Sequence, residues 1–316
     1  MDEEIFLYPN PLDREFIRLL TDFGFKRVFG SRKRAGILKR FLNALFEGEM
    51  QITSVEFRDK EILPEHEGGK KVLYDIYCTT ETDDHFIIEM QQEESENFAD
   101  RMLFYGCRAV VSQGIRGVEY DLSPVYCVVL TDFNMDGREV RLRKDMLLME
   151  RHTNEIYSDK LRYIFLALPE VPREWDDCDT ELKRLLYLIK NMEDLTRQSK
   201  PYLSGEYEEI FTASSTGLLS QEEAATYSQS YLKEIENRSA LRFAEKKGMK
   251  EGIKEGMREG MREGMREGMR EGMKEGMKKG AMAKLKEMVT GLRRNGFDNA
   301  TIAGFLNESP ETIASL

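Results

Sequence analysis

Residues 71–91 read KVLYDIYCTTETDDHFIIEMQ: two runs rich in apolar residues on either side of an acidic, threonine-containing pentapeptide. Runs of this length and composition are extended segments, and residues 80–84 have the make-up of a connecting turn. The spacing predicts a hairpin with one strand over 71–80 and the other over 85–91. Side chains alternate across a strand, so Tyr74, Ile76 and Cys78 are expected on one face of the first and Asp75 on the other. On the second, Phe86, Ile88 and Met90 share a face, and His85, Ile87, Glu89 and Gln91 share the opposite one.

Two carboxylates therefore stand inside strands that otherwise read as buried. An ionised carboxylate there is costly unless a cation or hydrogen bonds compensate it. In a hairpin, Asp75 and Glu89 can converge within a few ångström and bind one hard divalent ion, with Gln91 pointing at the same spot. Such an ion activates water and neutralises the charge that builds on a phosphodiester. Taken alone, Asp and Glu in a hairpin are more often exposed or singly hydrogen-bonded.

Around the hairpin the pattern switches between helical and extended periods. Ile37, Leu38, Phe41, Leu42, Leu45 and Phe46 lie on one face of a helical stretch over 29–47. A strand is expected over 52–63, a helix over 98–112, and a short apolar strand over 125–131, unbroken enough to sit centrally in a sheet. Further strands are read at 138–143 and 161–168, and a helix at 179–191. The order helix, three strands, helix, strand, with helices on both sides of a mixed sheet, is an α/β arrangement.

The chain has 316 residues, 41% of them hydrophobic and 33% charged, which is a globular balance. Lys plus Arg number 47 against 58 Asp plus Glu, a net charge of -11, so a protein that coats nucleic acid or an anionic membrane over its whole surface is not expected. One basic patch stands out against this: between residues 22 and 46 lie Lys26, Arg27, Arg32, Lys33, Arg34, Lys39 and Arg40, with Asp22 the sole acid. It is either a solvated helix face or a surface that meets phosphates. Four separated cysteines without a CxxC pair argue against zinc-ribbon and disulfide frameworks. No apolar run approaches about 18 residues and no signal-like start is present, so the expectation is a cytoplasmic protein without a membrane span.

From Gly248 to Gly280 glycine recurs every fourth residue in units of the form Gly-Met-Arg/Lys-Glu. As a helix, this stretch gains a few tenths of a kcal/mol per Glu to Lys or Arg pair, yet each glycine costs about 1 kcal/mol relative to alanine. Three readings stay open: a self-associating or docked helix, a semi-flexible spacer, or a ligand-binding element. Ser220 with Glu223 forms a capping-box pattern that starts the helix upstream. Residues 281–294 read as a helix closed by Asn295-Gly296, followed by short helical patterns at 298–306 and 310–316. This tail is helix-turn-helix-like, but residues 297–316 hold no Lys or Arg to meet phosphates, which favours a packing or dimer module over a DNA reader. The expected organisation is a first domain over 1–200, a helical connector over 201–247, the repeat over 248–280 and a small helical tail over 281–316.

Asp75, thirteen intervening residues and then Glu89-Met90-Gln91 resemble the PD-(D/E)XK nuclease motif. The whole chain resembles, within that superfamily, the recombination-promoting nuclease and transposase family. The likeness extends to Asp22-Phe23-Gly24-Phe25-Lys26-Arg27-Val28-Phe29-Gly30, to residues 101–105 and 124–130, and to the tetrapeptide array with its helical tail. It implies a restriction-endonuclease-like αβββαβ core followed by a helical C-terminal region. It also implies Asp75 and Glu89 as ligands of Mg²⁺ or Mn²⁺, and Gln91 in the place of the superfamily's lysine. There is a second departure: Tyr74 stands where the motif has proline. Glutamine offers a dipole where lysine would offer a full charge.

These residues lead to a metal-dependent DNA endonuclease associated with recombination or a mobile element. Asp75 and Glu89 hold the ion, Gln91 orients the water or touches the scissile phosphate, and Lys26, Arg27, Arg32, Lys33 and Arg34 are the candidates for DNA contact. Asp22 either faces the site or caps a turn. Glu93, Glu94 and Glu96 read as a solvated run before a helix. Of three histidines, His85 shares a face with Glu89 but sits at the hairpin turn, where a solvated role is commoner. The alternative is a catalytically weak nuclease-like protein that binds and assembles. DNA is the expected partner of the nuclease, and nucleic acid or another partner that of the alternative; a homo-oligomer, a dimer through the helical C-terminal region, is the expected state.

Overall fold

A computed structural model describes residues 10–62, 71–114, 121–135, 140–198 and 205–316. The chain divides into two compact units, Met1–Asn237 and Arg238–Leu316.

The first unit opens with helix α1 (Asp22–Phe29), whose first turn is capped by Thr21 accepting a hydrogen bond from the Gly24 amide. Helix α2 (Ala35–Leu45) follows after one tight turn at Arg32–Arg34, so the helical stretch expected over 29–47 is broken at Gly30 and restarted. Ile37, Leu38, Phe41, Leu42 and Leu45 form its buried stripe. Strands β1 (Val55–Phe57), β4 (Ile76–Thr80), β5 (His85–Gln91), β6 (Val125–Thr131), β7 (Arg143–Met149) and β8 (Ile156–Ala167) make a six-stranded mixed sheet in the order β1-β4-β5-β6-β8-β7. β1, β4 and β5 are antiparallel neighbours, β5, β6 and β8 run parallel, and β7 returns antiparallel on β8. Helix α3 (Phe98–Val111) joins β5 to the parallel β6, and α4 (Glu181–Asn191) follows the sheet in sequence. This is the expected α/β arrangement of a mixed sheet flanked by helices.

Alternation sorts the sheet residues into two cores. Ile76, Cys78, Phe86, Ile88, Val128, Leu130, Ile164 and Leu166 join the buried stripes of α2 and α4. Tyr77, Ile87, Val125 and Cys127 join α3 on the other side. Gly106 makes the α3 side possible: a Cβ there would lie 2.3 Å from the Tyr163 hydroxyl oxygen, so only glycine lets the helix settle this close to β8.

Two expected strands are divided. The segment read as 52–63 contains β1 and then β2 (Glu61–Ile62), which leaves the main sheet and pairs with β3 (Val72–Leu73) in a separate ribbon. The segment read as 71–80 bends at Tyr74 and Asp75 between β3 and β4. The Tyr74 amide donates to the Lys60 carbonyl at 2.9 Å, pinning the bend to the ribbon. The bend also moves Tyr74 off the face of Ile76 and Cys78; its ring packs against Tyr77, with centroids 5.4 Å apart. The strand read at 138–143 begins at Arg143 instead, and residues 136–139 lie outside the described residues, as does His66.

Past residue 200 the first unit continues. Helix α5 (Glu208–Ser214) buries Ile210 and Phe211, and Phe16 forms a bridge to Ser215. Helix α6 (Gln221–Arg294) starts with the expected capping box: Ser220 N–H donates to Glu223 Oε2 at 2.9 Å and Glu223 N–H to Ser220 Oγ at 3.2 Å. Tyr227 on its second turn is fully buried, and its hydroxyl oxygen accepts a hydrogen bond from the Arg18 amide, 2.9 Å away. The compact unit runs to Asn237.

In the second unit the remainder of α6, α7 (Asn299–Leu306) and α8 (Pro310–Ser315) enclose a small core of Val289, Ile302, Ala303 and Ile313. Asp298 and Ser309 cap α7 and α8 through the amides of Thr301 and Thr312. The repeat lies wholly within α6, and its methionines are 70% to 76% exposed. No helix among the described residues is long and apolar enough to cross a membrane.

Candidate active site

Asp75 sits at the bend that precedes β4, and Glu89 sits near the end of β5. They are joined by a reciprocal pair of bonds: the Asp75 amide donates to Glu89 Oε1 at 3.1 Å, and the Met90 amide donates to Asp75 Oδ2 at 3.1 Å. The carboxylates compensate each other's backbone while their charges oppose. Glu89 is pushed up to about 8, first by burial and then by the neighbouring Asp75 charge. A carboxylate held protonated near neutrality beside a second one is a site that gains from a cation.

The nearest cation is Lys26 on α1. Its ammonium lies 3.2 Å from Asp75 Oδ1 and also pairs with Asp22, one turn back on the same helix. Burial works against the charge of Lys26, but the hydrogen bonds and charges of Asp22 and Asp75 outweigh it, and its pKa is raised. Asp22 therefore faces the site. Lys60, half-buried on the segment whose carbonyl pins the bend, has a lowered pKa, from burial first and then from Lys26.

Gln91 does not point at the carboxylates. Its amide NH₂ donates to the Glu93 carbonyl at 2.6 Å, and its amide oxygen accepts from the Arg101 guanidinium on α3. The next residue, Gln92, donates to the Leu20 carbonyl. Asp22, Asp75, Gln91 and Arg101 line an open cleft of about 530 Å³, whose remaining wall includes Ser230, Lys233 and Asn237 of α6. Those three recur at helical spacing on one face.

The other basic residues divide. Arg27 belongs to the scaffold: its guanidinium donates to the Ala213 carbonyl at 2.9 Å and pairs with Glu223, leaving 7% of the side chain exposed. Arg34 donates to the Arg27 carbonyl at 3.4 Å and Arg32 to the Phe57 carbonyl at 3.3 Å, while Lys33 is exposed. His85 is at the far end of β5 from the site and shares a 2.6 Å hydrogen bond with the Tyr77 hydroxyl, which leaves it no part in the carboxylate pair. Of the run read as solvated, Glu94 and Glu96 are exposed, whereas Glu93 is half-buried and lines the cleft.

Two carboxylates supply hard oxygen donors suited to a divalent ion that keeps several waters. Among the described residues no group of three or more His, Cys, Asp or Glu is placed to hold a metal ion.

A family model described as PD-(D/E)XK nuclease family transposase matches residues 19–244. The chain belongs to this family. The match takes in α1, the bend, the hairpin, α3 and the start of α6, so each element that lines the cleft is part of the family's fold, whereas the repeat from Gly248 lies beyond it. Membership carries a nuclease or mobile-element role, implies DNA as partner, and brings the superfamily's general use of divalent metals. Neither the curated proteins nor the solved structures returned a match.

Proposed function

We propose that this PD-(D/E)XK family member is a DNA endonuclease that hydrolyses phosphodiester bonds with Mg²⁺ or Mn²⁺, in the service of recombination or a mobile element. The observation that carries the reading is the Asp75 and Glu89 pair, cross-bonded at 3.1 Å in both directions, with Glu89 driven towards neutrality by its surroundings. When bound between them, a divalent ion would supply an activated water and offset charge on the phosphate. Asp75 and Glu89 would hold it, the bend at Tyr74 and the end of β5 setting their separation, and Gln91, bonded to Arg101, lines the cleft beside them. Arg32, Lys33 and Arg34, with Lys233 of the cleft wall, are the candidates for contact with the DNA backbone.

The alternative reading, a catalytically weak binding and assembly protein, is favoured by one observation: both ends of the Gln91 amide are already engaged, so residue 91 brings no charge and at most one spare N–H to the phosphate. The repeat helix and tail would then drive assembly into a dimer. Supercoiled plasmid incubated with the full chain, with and without Mn²⁺ and Mg²⁺, separates the two. Metal-dependent nicking that disappears in Asp75→Ala supports the nuclease; binding without cutting supports the alternative.

A further inference from the structure

We propose that Lys26 provides from α1 the positive charge that residue 91 lacks: it is the resident counter-ion of Asp75 in the metal-free site, and it turns to the scissile phosphate once a divalent ion occupies the carboxylates. The proposal rests on the metal-dependent nuclease reading and adds to it a residue outside the hairpin motif.

Three cationic side chains surround the pair, and their bonding separates them. Arg101 is held on the Gln91 amide oxygen. Lys60 forms no ion pair with the described residues. Lys26 alone is in direct contact with a carboxylate of the pair, 3.2 Å from Asp75 Oδ1, and 29% of its side chain is exposed. A divalent ion on Asp75 competes with the ammonium for the carboxylate charge and repels it, which favours displacement of Lys26 from Asp75. The lysine stem is flexible and its three donors rotate, so displacement needs side-chain torsions and no backbone shift. Asp22, also paired with Lys26 and 67% exposed, stays within its reach throughout.

The backbone beneath Lys26 is fixed. Gly24 packs where a Cβ would lie 2.1 Å from the Arg18 carbonyl oxygen, and Arg27 ties the same turn to the Ala213 carbonyl at 2.9 Å. A rigid turn carrying one mobile ammonium beside the carboxylates is the arrangement a phosphate contact requires.

The two roles of Lys26 have opposite signs, and this makes them testable. Removing a counter-ion strengthens metal binding; removing a phosphate contact slows cutting. A merely structural residue would weaken both. Full-length wild type, Lys26→Met, Lys26→Arg, Arg101→Gln and Asp75→Ala are titrated with Mn²⁺ by calorimetry and assayed for nicking of supercoiled plasmid. Lys26→Met is expected to bind Mn²⁺ about three- to tenfold more tightly, to cut at least about a hundredfold more slowly, and to melt lower than wild type in EDTA but not in saturating Mn²⁺. Lys26→Arg, which keeps the charge, should retain measurable cutting. Mn²⁺ binding by Lys26→Met no tighter than wild type overturns the proposal. So does cutting at the wild-type rate, or loss of cutting confined to Arg101→Gln. Lys26→Gln gives the same readouts if the methionine variant does not fold. A wild type that neither binds Mn²⁺ nor cuts, or an Asp75→Ala variant that cuts normally, defeats the nuclease reading itself, so the two failures are distinct.

Discussion

Asp75 and Glu89 each satisfy a backbone amide of the other's segment, at 3.1 Å in both directions, so the pair is a structural clasp as well as a candidate ion site. The clasp closes the open end of the hairpin, where β4 has already left its ladder with β5. Its cost is two like charges in a partly buried place.

That cost sets a pH dependence in the absence of metal. Glu89 is raised from 4.5 to about 8, so across this window the folded state holds a proton that the unfolded chain has released, and stability falls as pH rises. Glu89→Gln keeps a hydrogen-bond acceptor and removes the charge. In EDTA at pH 8 it should melt a few degrees higher than wild type, at about 2–4 °C per kcal/mol, with the gain shrinking towards pH 5. A variant that melts lower at pH 8 would show that the ionised carboxylate is already compensated.

At the other edge of the sheet the sign reverses. Glu49 and Asp145 pair with Arg143 and Arg162, and both acids have lowered pKa values; the Arg162 hydrogen bond comes first for Glu49, while for Asp145 the arginine bonds and charges outweigh burial. Their contribution is present above the unfolded carboxylate pKa and is lost as pH falls through the folded one. Arg162→Met should cost about 1 kcal/mol at pH 7 and almost nothing near pH 3, read from denaturant midpoints. Equal losses at both pH values would assign the effect to packing on Phe46, which lies 5.6 Å from the guanidinium.

Gly24→Ala should be among the more damaging single-methyl additions, because its Cβ would meet backbone at 2.1 Å and not a side chain that can swing away. A loss of about 1–3 kcal/mol is expected, with plasmid nicking reduced further because α1 carries Lys26. Wild-type melting and wild-type nicking together would show that α1 is free to shift.

The repeat glycines should behave oppositely. Nothing lies within 4 Å of a Cβ built at any of them from Gly248 to Gly280. Changing Gly256, Gly260 and Gly264 to alanine should raise helicity at 222 nm and stabilise the helix by roughly 0.5–1 kcal/mol per site. If the glycines serve close approach of a second chain, the same variant loses its dimer in light scattering, and so does the deletion of 248–280. An unchanged dimer in the deletion removes the repeat as the interface.

The sheet, α2, α3 and the capping box at Ser220 were legible because their signals are local: a helical stripe, a two-residue alternation, a Ser and Glu three apart. The convergence of Asp75 and Glu89 followed from the hairpin alone. The bend at Tyr74 was not legible, since the Lys60 carbonyl and the Met90 amide that hold it come from other segments. Nor was the fate of Gln91, decided by Arg101 from α3, or that of Arg27, which is spent on Ala213 and Glu223. Lys26 could be marked as basic from sequence, but its contact with Asp75 depends on how α1 docks. Ser230 and Lys233 fell in a stretch that read as a connector, and only their helical spacing hinted at a shared face.

The open space around the repeat glycines has a genetic consequence. Each unit is a whole number of codons, so slippage while the coding stretch is copied adds or removes units without shifting the reading frame. Because the repeat side chains pack on nothing in the chain, such an event disturbs neither the core around Val289 and Ile302 nor the nuclease-like sheet. Adding or removing one unit would change the length of this helix in a fixed step, at little cost to folding.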